Sequence, residues 1–313
     1  MQSFWRTYGI VLIVAAVVVA LPFAVTSSFY LRIGALVFIF SLAVLGINLL
    51  MGFAGQVSLG HAGFFGIGAY AVAVLPTHFA VPSWIALIVG VIVAGLLAFV
   101  IGRPILKLKG HYLAVATLGM GILIAMVFTN EARFTGGPDG MPVPRLELFG
   151  WRVRGSEAWY WISGVTLVLA ALLAVNLIDS PTGRALRAIH DSEVASRVLG
   201  IDVARYKLIA FVLSAIYAAI AGAYLALFDG LVTPATAGFL RSIEFVTMAV
   251  LGGLGSIFGS IVGAALLTIL PQMLTVFHDY EHIALGAIMI VFMIFLRAGI
   301  VPSLASLFRR SPS

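Results

Sequence analysis

The sequence predicts an all-α fold: a polytopic transmembrane helical bundle of about eight to ten spans, with broken or re-entrant helices among them. Three observations carry this. Hydrophobic residues make up 62% of the 313 residues and charged residues only 10%, against about 45–50% and about 25% in a soluble globular domain. The mean hydropathy of +1.15 leaves too little polar surface to coat a water-soluble particle of 33.2 kDa. The apolar runs are also continuous over the roughly 20 residues that a spanning helix needs, where a barrel strand would alternate over about 10.

Apolar runs with loop-like boundaries fall at about 8–25, 31–51, 57–75, 83–102, 112–129, 159–178, 207–228, 243–270 and 283–296. The first follows Arg6 and is too long for the apolar part of a signal peptide, so it is read as a retained helix. Arg103, Lys107 and Lys109 crowd one short connection, and Arg184, Arg187, Arg197, Arg205 and Lys207 another. The positive-inside rule places both on the cytoplasmic side. Extending the count puts twelve Lys/Arg and four acids inside against six and eight outside, with 130–158 as an external loop and both termini cytoplasmic. That parity fails if 243–270 crosses once. Gly252-Gly253-Leu254-Gly255-Ser256 interrupts the run near its middle, and two short helices entering and leaving on one side restore the parity. Eight full crossings plus this hairpin are expected. No soluble domain or long linker interrupts the chain, so 1–313 reads as one membrane domain.

The missing chemistry narrows the function. There is no cysteine, so thiol nucleophiles, disulfides and thiolate metal sites are excluded. None of the three lysines follows a glycine, so the chain has no Gly-Lys phosphate loop and does not hydrolyse ATP by that route. No acid sits near the centre of an apolar run, which argues against a proton relay and hence against an ion-coupled secondary transporter. No Gly-x-Ser-x-Gly elbow occurs. No catalytic residue, metal site or cofactor of the chain's own is expected, and the excess positive charge reports topology rather than nucleic-acid binding.

Three stretches stand out. Within 52–70, glycines at 52, 55, 60, 63, 66 and 68 free backbone from the helical ladder, which a membrane tolerates only inside protein or along a wet cavity. Gln56, Ser58, Gly60, His61, Phe64 and Phe65 are candidates for the wall of a translocation path; a tight helix crossing with Ser58 and His61 bonded to neighbours is the alternative. In the cytoplasmic connection within 179–206, Thr182 can cap a helix through about Ile189, and Asp191 or Ser192 a second from Glu193 to Leu199, ended by Gly200. Two helices too short to be stable alone suit a partner protein, or else an amphipathic pair lying on the lipid surface. The turn residues of 134–144 specify a constrained external loop. Finally, Gly255, Gly259 and Gly263, spaced by four, offer a small-residue face for close helix packing.

The 52–70 segment, the 134–140 loop, the stretch GRALRAIHDSEVASRVLGIDVARYKLIAF at 183–211 and Leu251-Gly252-Gly253-Leu254-Gly255-Ser256 together resemble the LivM branch of permeases from branched-chain amino-acid ABC importers. Ser58-Leu59-Gly60-His61-Ala62 stands where the LivH branch typically carries Asn-Phe-Ala-His-Gly. The resemblance implies a transmembrane subunit of the bacterial inner membrane with the ABC importer permease fold. It would pair with a LivH-like permease, receive solute from a soluble or lipid-anchored binding protein, and be driven by two cytoplasmic ATP-binding subunits of the LivG and LivF type. It also implies an ATPase-coupling role for the 179–206 loop. Glu193, Ala195 and Gly200 fall where the Glu-Ala-Ala...Gly docking motif would be, with Arg184 and Arg187 beside them; Val194 replaces the middle alanine and Gly200 comes one residue late. The solutes implied are Leu, Ile and Val, carried by alternating access; urea, short amides or another small solute are the alternative.

Overall fold

The computed structural model describes residues 2–24, 27–148, 151–274, 286, 290, 294 and 299–303. Its long helices follow the apolar runs in order: α1 (Gln2–Ala24), α2 (Ser28–Asn48), α3 (His61–Phe79), α4 (Ser83–Ile105), α5 (His111–Asn130), then a four-residue α6 (Ala132–Thr135) and α7 (Gly155–Asp179). After them come the short α8 (Pro181–Asp191) and α9 (Glu193–Val198), then α10 (Val203–Asp229), α11 (Phe239–Gly252) and α12 (Ile257–Leu274). Seven stretches among the described residues are long and apolar enough to cross a membrane, α2 counting with its extension to Phe53, and α1 holds a shorter apolar stretch, Val11–Phe23. Most of the 283–296 run lies outside the described residues.

The bundle is built around α2. Its span is 89% buried, whereas that of α5 is 22% buried and presents Val115, Leu123 and Val127 outward. Helices α10, α12 and α7 pack on α2, and α10 also packs along α3 and α4. Lipid is as apolar as these side chains, so close packing and internal hydrogen bonds hold the bundle rather than escape from water. Small residues make the close approaches possible: a Cβ on Gly222 of α10 would lie 1.8 Å from the Phe65 carbonyl oxygen of α3.

Two sides of the bundle are distinguishable. Strand β1 (Met141–Pro142) pairs antiparallel with β4 (Leu231–Val232), fastening the 131–154 loop to the end of α10 on one side; a second small hairpin joins β2 (Glu147–Leu148) to β3 (Trp151–Arg152). The 134–144 loop is constrained as its turn residues require. Gly136, Gly137 and Gly140 take positive φ, and the Thr135 hydroxyl donates to the Phe128 carbonyl at 2.6 Å. The opposite side carries 106–110 and the α8–α9 connector.

The 243–270 run is broken as the glycines predict. Helix α11 ends at Gly252, residues 253–256 turn, and α12 runs back against α11. The turn sits at the connector side, beside the end of α2, and Gly299 also lies against it, with Gly253 Cα 2.4 Å from where its Cβ would be. The chain is therefore back on the connector side by Gly299. In the connector the first cap differs from expectation. Ser180, not Thr182, caps α8, its hydroxyl accepting the Gly183 N–H at 3.4 Å. The reason is Pro181, which has no N–H to lose and a φ suited to the first helical position. Ser192 caps α9, accepting the Ala195 N–H at 3.2 Å, and Gly200, at φ +80°, follows its end.

Candidate functional site: two helix breaks and the connector

The first break starts where α2 widens into a π-helical turn, Leu49–Phe53, and continues as non-helical backbone over 54–60 before α3 begins at His61. Backbone donors released from a helix inside a membrane must find partners, and here side chains from separate helices supply several of them. The Gln56 N–H donates to the Leu50 carbonyl at 3.1 Å, that of Leu59 to the Thr117 hydroxyl of α5 at 3.1 Å, and that of Ala62 to the Ser242 hydroxyl of α11 at 3.0 Å. His61 is 1% exposed. Its Nδ1 lies 2.7 Å from the Ser58 hydroxyl and its Nε2 2.6 Å from the Ser214 hydroxyl of α10, between the rings of Phe64 and Phe211.

All six candidate path residues are therefore buried within the subunit in this conformation. Gln56, Ser58, Gly60, His61, Phe64 and Phe65 pack between α5, α10 and the connector, and a Cβ on Gly60 would fall 1.9 Å from the Thr117 carbonyl oxygen. Thr117, Ser214 and Ser242 were not singled out from sequence. Their signal was that of any hydroxyl in an apolar run, a polar group that must be satisfied by a neighbour.

The second break is held differently. Asn48, fully buried near the end of α2, accepts the Gly255 N–H at 2.9 Å through its side-chain oxygen. Its amide donates to the Ser256 carbonyl at 2.9 Å and to the Ser260 hydroxyl at 2.7 Å. The two breaks touch here: a Cβ on Gly52 would lie 2.1 Å from the Asn48 side-chain oxygen and 2.2 Å from the Gly255 nitrogen. Sequence reading missed Asn48, although a lone amide inside an apolar run is a visible signal. It also put Gly255 on a helix face. Gly255 belongs to the turn itself, at φ +74°, while Gly259 and Gly263 form the crossing with α11, a Gly263 Cβ falling 1.9 Å from the Met248 carbonyl oxygen.

The connector meets the first break. Glu193, at the start of α9, forms an ion pair with Lys207 of α10, whose side chain is 2% exposed, and accepts a hydrogen bond from the Gln56 amide at 3.5 Å. Arg197 stands 3.8 Å from the same carboxylate. Burial works against ionisation of Glu193. The hydrogen bond and charge of Lys207, the Gln56 amide and the charge of Lys109 outweigh it and hold the carboxyl below its ordinary value. Gly55, at φ +66°, runs against the His190 ring. Arg184 and Arg187 brace the connector from the other end, donating to the carbonyls of Asp179 at 3.2 Å and Ile178 at 3.0 Å, the last turn of α7. The outward side of α9 and of the residue that follows it is apolar: Val194, Val198 and Leu199 are 71%, 83% and 77% exposed, with Ala195 and Gly200 exposed beside them.

Among the described residues no cluster of His, Asp and Glu could hold a metal ion. His278 and His282, four apart in the sequence, have a spacing that the sequence reading overlooked and lie outside the described residues.

A broken-helix bundle with a two-helix connector can move a solute without chemistry, and comparison with known proteins says which bundle this is. Residues 29–293 match the family model described as branched-chain amino acid transport system / permease component. The chain belongs to this permease family. It is 33% identical over 321 residues to the high-affinity branched-chain amino acid transport system permease protein LivM of Escherichia coli K12, covering 95% of this chain and 75% of that protein. It is likewise 33% identical over 310 residues to LivM of Salmonella typhimurium, covering 91% and 73%. Identity to LivH of Salmonella typhimurium is 27% over 286 residues, covering 84% and 91%. The higher identity to LivM agrees with the residues at 58–62. No solved structure matches.

Proposed function

We propose that this chain is the LivM-type permease subunit of an ABC importer and carries leucine, isoleucine and valine across the bacterial inner membrane. It pairs with a LivH-like permease, takes solute from a binding protein, and is driven by two separate ATP-binding subunits; the chain itself catalyses no reaction and holds no cofactor or metal. Residues 1–313 form one permease domain, with 179–206 as the coupling segment, 130–158 outside, and both termini in the cytoplasm. The match to LivM over nearly the whole chain carries the solute class. The connector's geometry supports the drive.

Exposed apolar side chains on a six-residue helix at a membrane rim suit a protein partner, and Val194, Val198 and Leu199 offer that contact. The opposite side of α9 is occupied by Glu193, bonded to Lys207 and Gln56. Movement imposed on α9 by an ATPase therefore reaches the 54–60 segment and α10 through bonded groups rather than across a gap. The 54–60 segment, relieved of helical hydrogen bonding, is the place where α2 and α3 can change their mutual angle. Gln56, Ser58, Gly60, His61, Phe64 and Phe65 then shape the path as that angle changes.

Uptake of labelled leucine, in a strain deleted for this gene and then complemented, tests the reading. Loss on deletion, restoration by the gene and competition by isoleucine and valine are expected. Unchanged leucine uptake in a strain with no second leucine system would contradict the solute assignment and move it to urea or a short amide.

A further inference from the structure

A cleft of about 1060 Å³ opens at the connector side between the end of α4, α9 and the start of α10. Its charge is one-sided. Arg103, Lys107, Lys109, Arg197, Arg205 and Lys207 line it, six of the 18 basic residues in the chain, against the two acids Glu193 and Asp202. Lys207 and Arg197 are engaged by Glu193. Among the described residues, Arg103, Lys107, Lys109 and Arg205 form no ion pair, and all four are exposed. The Arg103 guanidinium stands over a ring, 4.2 Å from the centroid of Phe99.

Below this basic rim the walls change character. Leu208, Val212 and Leu213 line the cleft on the α10 side and Phe99 on the α4 side. Leu213 follows Arg205 by eight residues on one helix, so the apolar wall descends about 12 Å from the rim at 1.5 Å per residue. On α4, Val93, Leu96 and Val100, within two turns of Phe99, are exposed as well. A docked water-soluble protein would present polar surface to the rim and leave that wall uncovered. A molecule with an anionic head and apolar tails covers both.

We propose that this cleft is a binding site for an anionic phospholipid, its phosphodiester held by Arg103, Lys107, Lys109 and Arg205 and its acyl chains lying along Phe99, Leu208 and Val212. Positive charge near the membrane surface attracts anionic lipid, and four such groups around one cleft localise the attraction. The lipid would wedge between α4 and the connector, beside the Glu193 link but not part of it.

The test uses the assembled importer, purified and reconstituted in nanodiscs of phosphatidylcholine with or without phosphatidylglycerol. Native mass spectrometry is expected to show phosphatidylglycerol retained over phosphatidylcholine. The triple variant Lys107→Gln, Lys109→Gln, Arg205→Gln is expected to lower that retention at least tenfold, while Lys107→Arg, Lys109→Arg with Arg205 intact restores it. Inorganic phosphate at millimolar concentration is expected not to displace the lipid. Equal retention of the two lipids, retention unchanged in the triple variant, or displacement by inorganic phosphate alone would each overturn the proposal. So would loss of the ATPase subunits from the triple variant with lipid retention intact, which would make the rim a protein contact.

Discussion

The two helix breaks meet at Gly52 and Gly255, yet they are held in opposite ways. The break over 49–60 and the first turn of α3 that follows it are held by many hands: Thr117 from α5, Ser242 from α11, Ser214 from α10 and Glu193 from the connector each bond one part. The break over 253–256 is tied to α2 through one residue, Asn48, which bonds an N–H, two carbonyls and a hydroxyl together. A segment held by several weak partners on different helices can exchange them as those helices move. A turn gripped by one buried amide moves with that amide or not at all. The comparison assigns flexibility to the first break and rigidity to the second, where the hairpin and α2 shift as a unit.

Loss of the single grip is the largest expected effect. Asn48→Leu removes the acceptor of the Gly255 N–H and one donor each from the Ser256 carbonyl and the Ser260 hydroxyl, which keep their bond to each other; at about 1 kcal/mol for each lost bond, the thermal midpoint of the purified protein is expected to fall by about 10 °C. Crowding the same hairpin comes next. Gly263→Val places atoms where the Met248 carbonyl oxygen stands, and overpacking of about 1–3 kcal/mol should appear as a smaller drop in the same thermal scan. At the distributed break one deletion matters less: Ser242→Ala removes the acceptor for the Ala62 N–H alone and is expected to cost about 1 kcal/mol. If Ser242→Ala proved as damaging as Asn48→Leu, the contrast between the breaks would fail. The smallest effect concerns pH. The native carboxyl of Glu193 sits below its ordinary value of 4.5, so its ion pair contributes in full above pH 4.5 and is lost only as pH falls through the lowered native value. Transport followed across pH 5 to 8 should show no step arising from this group, and a step that disappears in the double variant Glu193→Gln, Lys207→Gln would contradict the assignment.

Much of this architecture is legible in the sequence. Apolar run lengths gave the long helices, because a spanning helix has no other way to satisfy its backbone. Glycine clusters at 52–60 and 252–255 marked both breaks. Partner identity was less legible. Nothing in the local sequence tells that Asn48 faces residues more than 200 positions away, or that Lys207, counted simply as one more positive charge on the connector, turns inward to Glu193. Those are tertiary facts, fixed by how α2, α10 and α12 pack. The Ser180 cap was missed for a local reason: Pro181 invites the helix to start one residue later than the cap, and Thr182 looked equally suited. The path residues at 56–65 were singled out by polarity and glycine content, signals that a mobile wall and a packed crossing share.

The central claim is that α9 has two faces with separate duties, Val194, Val198 and Leu199 outward to the ATPase and Glu193 inward to the break. Purification of the importer in two forms, Val198→Asp and the double variant Glu193→Gln, Lys207→Gln, tests it most directly; removing both charges avoids leaving Lys207 buried without a partner. The measured quantities are the ATPase subunit that copurifies and the leucine taken up per ATP hydrolysed in proteoliposomes. The account predicts that Val198→Asp loses the ATPase, whereas the double variant keeps it and transports at least tenfold less leucine per ATP. Loss of the ATPase from the double variant, or an unchanged transport ratio in it, would contradict the inward role of Glu193.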